Sequence, residues 1–86
     1  MSDVKIATLV KAGGVQSYAM PKDKKDFSLE ELQAFCGGYV QLLHTEDGRE
    51  VWMDESGRLK GLPENKYISN LLKTSVVGDC LIVIRE

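Results

Sequence analysis

The segment FSLEELQAFCGG, residues 27 to 38, constrains the fold more than any other stretch of this chain. Ser28 is a helix N-cap, and Glu31 three residues on completes a capping box, each side chain taking up a backbone N–H that the first turn leaves free. Phe27 before the cap and Leu32 at the fourth helical position are spaced for a hydrophobic staple. Gly37 stands where a left-handed residue ends a helix. The pattern predicts a short helix at 28–36, with Leu32, Phe35 and Cys36 pointing one way, onto a sheet.

Around that helix the chain reads as strands. VKIATLVKA (4–12) is a first strand, GG at 13–14 a turn, and VQSYAMP (15–21) a second strand that Pro21 stops, which together make an N-terminal hairpin. YVQLLHT (39–45) and REVWMD (49–54) are joined by EDGR, whose Asp47–Gly48 suits a tight primed turn. ESG marks another turn before a short extended RLK and the segment GLPENK. In YISNLLKT (67–74), Ile68, Leu71 and Leu72 recur at helical spacing, with Pro63 near the entrance. Gly78 and Asp79 make a bend, and the apolar run 80–84 belongs in the sheet centre. This order predicts a single small α+β domain over 1–86: a mixed, mostly antiparallel sheet with two short helices packed on one face.

Size and charge then exclude several functions. A chain of 86 residues buries roughly 60–65% of its unfolded surface, enough for one modest core and no deep second site. No apolar run approaches the roughly 18 residues that span a bilayer. MSDVKIATLV lacks the cationic start and cleavage site of a signal peptide. Cys36 and Cys80 are too few for a disulfide framework and are not spaced as a metal-binding or redox pair. A reduced cytoplasmic protein with no membrane contact is the expectation. The formal net charge of −2 gives no basic footprint for duplex nucleic acid.

The residues that carry chemistry point away from catalysis. His44 is the one histidine, and with both cysteines far off in sequence a tetrahedral metal site lacks ligands. Cys36 closes its helix at the end where the dipole disfavours a thiolate, and both cysteines read as buried small hydrophobes. Asp47, Glu50, Asp54 and Glu55 crowd one hairpin, but a paired-carboxylate site needs a concavity a domain this small builds poorly. No P-loop, nucleophile elbow, calcium loop or dinucleotide fingerprint occurs. No catalytic residue, metal site or cofactor is expected.

Two features leave a binding role open. Trp52, on a strand beside Met53, is either a core aromatic or a stacking surface, and Tyr18, Tyr39 and Tyr67 share that ambiguity. In DESGRLKGLPENKY (54–67), Arg58, Lys60 and Lys66 surround Gly61, Pro63 and Asn65. Glycine lets a backbone approach a ligand closely, and a helix entrance favours anions. The segment is therefore either a solvated connection shaped by Gly61 and Pro63, or a phosphate-holding surface made of Trp52, Arg58, Lys60, Gly61, Asn65, Lys66 and Tyr67.

FSLEELQAFCGGYVQLL, then DGREVWMDESGRLKGLPENK, then VVGDCLIV occur in that order. Together they resemble a family of small domains catalogued as domain of unknown function 3846. The matching positions are Leu29, Leu32, Gly37, Gly38 and Tyr39; Glu55, Gly57, Leu59, Gly61, Leu62, Pro63 and Asn65; and Val77, Gly78, Asp79, Ile82 and Val83. Cys36 stands where that pattern prefers a branched apolar residue. The resemblance supplies no catalytic residue and implies a phage or mobile-element origin, with action inside a bacterial host. The expectation is a non-catalytic binding module, in its sharpest form a counter-defence protein that sequesters a phosphate-containing nucleotide signal. The alternative is a protein–protein inhibitor or scaffold docking a host protein through an edge strand such as 49–53 and an aromatic patch of Trp52 and Tyr39. A homo-oligomer would enlarge the small core.

Overall fold

The last strand organises the molecule. In the computed structural model, which describes residues 3–86, Cys80–Arg85 forms β5, apolar from Cys80 to Ile84 and buried from Cys80 to Val83. A strand with no polar face has to be covered on both sides. It takes the sheet centre, as its sequence implied. β1 (Val4–Val10) flanks it on one side and β4 (Glu50–Asp54) on the other. β2 (Gln16–Ala19) and β3 (Val40–His44) form the two edges, giving the order β2-β1-β5-β4-β3. Every pairing is antiparallel, so the mixed sheet that the sequence suggested becomes a wholly antiparallel one among the described residues.

Register decides what covers each face. Cys80 pairs with Val10 and Ile82 with Val51, and these share a face with Met53. That face packs against Ile68 of α2 (Lys66–Leu72) and against Val76. Leu81 and Val83 point the other way with Ala7, against Leu32 of α1 (Leu29–Cys36) and Phe27. The two helices thus lie on opposite faces, which corrects the expectation that both pack on one. The physical reason is β5 itself: stacking both helices on one side would leave either Cys80 and Ile82 or Leu81 and Val83 in water.

The local signals read from the sequence are realised in detail. Ser28 Oγ accepts from the Glu31 N–H at 3.2 Å, and Glu31 Oε1 accepts from the Ser28 N–H at 3.0 Å. Gly37 ends α1 in the left-handed region at φ 89°. Phe27 and Phe35 meet edge to face with ring centres 5.7 Å apart, a geometry worth about 1 kcal/mol beyond area alone. The 58–60 segment expected to be extended is instead part of a continuous run of turns over 55–61. On the α1 face Arg85 donates to Glu50 at 2.7 Å and lies 3.1 Å from Asp26, which ties the loop after β2 to the sheet.

Candidate functional site

The three segments quoted above converge on one corner, where α1 ends and β4 runs into its turns. Asp54 closes β4 with its carboxyl buried. Its Oδ1 accepts from the Ser56 N–H at 2.8 Å, and its Oδ2 from Lys60 Nζ at 2.7 Å. The Lys60 hydrogen bond holds the Asp54 carboxyl below its ordinary value, against the opposing effect of burial and with help from the Ser56 N–H. Lys60 Nζ also donates to the Gly37 carbonyl at 3.1 Å, placing a cation at the negative end of α1. A Cβ on Gly38 would stand 2.6 Å from that Nζ and 3.2 Å from Asp54 Oδ2, so a side chain there would make the lysine end shift.

Asn65 is the second knot. It is 1% exposed and caps α2 by accepting from the Ile68 N–H at 3.2 Å. Its Nδ2 donates to Val10 O at 2.9 Å and Gly78 O at 3.0 Å. Gly78 adopts φ +83°, and a Cβ there would lie 2.8 Å from Leu62 Cδ1. Asp79 Oδ1 accepts from the Ala12 N–H at 3.0 Å, fastening the β1–β2 hairpin to the same corner. A hollow of about 280 Å³ remains between Ala12, Phe35, Gly37, Asp54, Lys60 and Asp79.

These contacts disperse the phosphate-holding surface that the sequence suggested. Lys60 is turned inward onto Asp54 and Gly37, and Asn65 is enclosed with its polar atoms engaged. Gly61 is an exposed turn residue at φ +68°, its N–H donating to Arg58 O. Arg58 is exposed and donates to Ser75 O at 2.6 Å. Lys66 and Tyr67 are exposed on the first turn of α2. Trp52 sits half-buried on the α1 face, its Nε1 donating to Glu50 Oε1 at 3.1 Å. It therefore lies across the sheet from α2 and its Tyr67. Of the seven, Asn65 is enclosed and Trp52 half-buried, while Arg58, Lys60, Gly61, Lys66 and Tyr67 are exposed, Lys60 with its Nζ engaged by Asp54 and Gly37.

The other chemistry-bearing groups are similarly placed. Burial pushes both thiols up to about 12, with nearby Asp54 adding to the effect on Cys36 and Cys36 to that on Cys80. His44 is exposed at the end of β3, opposite Glu50. Among the described residues no three His, Cys, Asp or Glu side chains come together as a metal-binding group, and no helix is long and apolar enough to cross a membrane.

A different surface appears at the β3 edge. Strand 49–53, expected as an edge, lies inside the sheet as β4, because β5 pairs along its other side. β3 is the edge instead. The Glu55 N–H donates to Tyr39 O and the Thr45 N–H to Arg49 O, both at 2.9 Å. Antiparallel ladders alternate, so Tyr39, Gln41, Leu43 and Thr45 direct their backbone groups at β4, and Val40, Leu42 and His44 direct theirs outward. Beside this edge, on the α2 face, runs a groove of about 500 Å³ whose lining includes Gln41, Leu43, Met53, Arg58, Leu59 and Val76. Leu59 is 92% exposed there. Sequence reasoning passed over Leu59 and β3, although an apolar residue between Arg58 and Lys60 in a turn is itself a signal of an exposed contact.

Neither the curated proteins nor the solved structures contain a match to this sequence. The three segments that build the Asp54–Lys60 and Asn65 knots all fall within residues 7–86, the span over which the chain matches the family described as Domain of unknown function (DUF3846), and the chain belongs to that family.

Proposed function

We infer that this protein is a non-catalytic binding module that docks an extended segment of a partner protein along β3. The observation that carries the reading is the adjacency of an open strand edge and a groove. Val40, Leu42 and His44 offer outward backbone groups, and the 500 Å³ groove opens directly beside them. Strand addition works this way: main-chain hydrogen bonds supply affinity, and pockets for alternate side chains supply specificity. The partner segment is extended, places apolar side chains at alternate positions against Leu43, Met53 and Leu59, and passes the Arg58 guanidinium. Resemblance to mobile-element domains makes a host protein the first class of partner to test.

Sequestration of a phosphate-bearing nucleotide is the weaker reading, since Lys60 and Asn65 already hold the fold together. Selection of a random peptide library on the full chain separates the two. The expected binders are extended peptides with alternating apolar residues that slow amide exchange at Val40, Leu42 and His44. Leu59→Glu, which charges the groove, and His44→Pro, which removes an outward N–H, should each weaken binding at least about tenfold, or ~1.4 kcal/mol. Peptide binding untouched by both variants refutes the docking site. Heat from a cyclic-nucleotide panel at about 100 μM that Arg58→Ala abolishes would reinstate the nucleotide reading.

A further inference from the structure

The opposite edge of the sheet, β2, has a separate character. The Lys11 N–H donates to Val15 O at 2.8 Å, and the register continues through Leu9↔Ser17 to Ala7↔Ala19. By alternation Val15, Ser17 and Ala19 face β1, and Gln16 and Tyr18 turn their backbone N–H and C=O groups outward. Natural edges are blunted by charges, prolines or bulges. This one has no charged side chain between Lys11 and Lys22, no proline before Pro21, and no register shift along its pairing. Among the described residues, four of the eight large apolar side chains that are exposed, Ile6, Val15, Tyr18 and Met20, lie on it or beside it. Tyr18 is 85% exposed and lines, with Thr8, Gln16 and Ser17, a shallow hollow of about 280 Å³.

We propose that β2 is a self-association edge, at which two copies of this chain pair antiparallel about a two-fold axis through Ser17. The strand is complementary to itself in this register. Gln16 of one copy faces Tyr18 of the other on each side of the axis, and each such pair exchanges two backbone hydrogen bonds, so every outward group is satisfied. Ser17 then faces Ser17 of the other copy. An uncharged edge meets itself without repulsion, and a net charge of −2 per chain opposes the encounter little. The two Tyr18 rings become diagonal neighbours about 7–8 Å apart, within reach of each other. The result is one continuous sheet with both β3 edges left at its ends. A pairing this short buries well under the roughly 1,600 Å² of a standard interface, so association is weak and appears only at high chain concentration.

Sedimentation equilibrium of the full chain from about 10 μM to about 1 mM tests this. The expected result is a reversible monomer–dimer equilibrium that Ser17→Lys, which sets two cations face to face on the axis, shifts to monomer at least tenfold. Ser17→Cys should give a disulfide-linked dimer under mild oxidation. Facing residues of a non-hydrogen-bonded pair have Cα atoms about 4.5 Å apart, inside the range a disulfide spans, and the buried Cys36 and Cys80 do not compete. His44→Cys, on the far edge, is the control and should cross-link far more slowly. A chain that stays monomeric at 1 mM, a dimer indifferent to Ser17→Lys, or equal cross-linking at both positions overturns the proposal.

Discussion

Replacing Asn65 tests how the corner is held. In Asn65→Ala three things are lost at once: the acceptor for the Ile68 N–H, and the donors to Val10 O and Gly78 O. Loss of an N-cap costs about 1 kcal/mol. A buried carbonyl that loses its donor costs about 1–3 kcal/mol; Asn65 is 1% exposed, so the loss falls in the interior. The lower end suits Gly78 O, which keeps the Cys80 thiol at 3.6 Å. The sum is about 3–7 kcal/mol, a large part of the roughly 4–13 kcal/mol expected for a domain of this size. At about 4–8 °C per kcal/mol, the melting temperature should fall by at least about 12 °C. Asn65→Ser separates the contributions, because a serine hydroxyl keeps the cap but does not reach both carbonyls. It should recover about 1 kcal/mol and no more. Asn65→Asp also keeps the cap, yet turns carboxylate oxygens toward two carbonyl oxygens, and should be at least as damaging as alanine. Urea unfolding followed by Trp52 fluorescence measures all three. If Asn65→Ser matches the wild type within about 0.5 kcal/mol, the bridging hydrogen bonds contribute little and the account of this corner is wrong.

Lys60→Met leaves Asp54 buried without its cation and should destabilise by about 1–3 kcal/mol, less than for a fully buried pair because Lys60 is 42% exposed. Asp54 has its folded pKa depressed mainly by Lys60, so the pair's stabilisation is complete above the ordinary carboxylate range and is lost as pH falls through the depressed value. The gap between wild type and Lys60→Met should therefore be widest near neutrality and shrink below about pH 4 in pH-dependent unfolding. Gly38→Ala shifts the flexible Lys60 end and should cost no more than Lys60→Met, whereas Gly78→Ala combines φ +83° with a 2.8 Å approach to Leu62 and should cost about 1–3 kcal/mol by chemical denaturation. Cys36 and Cys80 are buried with pKa values pushed up to about 12, so a thiol reagent at pH 8 should label the folded chain at least about a hundredfold more slowly than the unfolded one.

Local rules were legible wherever a few neighbouring residues fix the outcome. The Ser28–Glu31 box and the Gly37 stop each depend on contacts within four residues and are present. The Asp47–Gly48 hairpin turn also forms, but with only Gly48 at positive φ and a Gly48 N–H to Thr45 O bond, so it is a three-residue loop and not the primed turn the dipeptide suggested. Position in the sheet was harder. β4 was mistaken for an edge because pairing with β5 is set by register between residues such as Trp52 and Leu81, about which local patterning is silent. The two-sided burial of the apolar run CLIVI did carry the answer for the helices, since such a strand needs cover above and below. Lys60 and Asn65 misled for a common reason. A lysine and an asparagine in a polar turn look available, and their engagement depends on Gly37 and Val10, distant partners in the chain. The β3 groove draws Leu43, Leu59 and Val76 from three separate segments and exists only once the sheet is assembled.

The central place of β5 also bears on how the molecule comes together. β1–β2 and β3–β4 are each local hairpins, and isolated hairpins are marginal in water. Neither contacts the other across the sheet except through Cys80–Arg85. Inserting that strand closes the long span between β1 and β5, from Val10 onto Cys80 at its inner end to Val4 onto Arg85 at its outer end. Such closures are slow compared with hairpin formation. Assembly should thus be all-or-none, governed by the arrival of a single keystone segment, and trimming the chain ahead of Cys80 should abolish ordered structure in both hairpins together rather than in the nearer one alone.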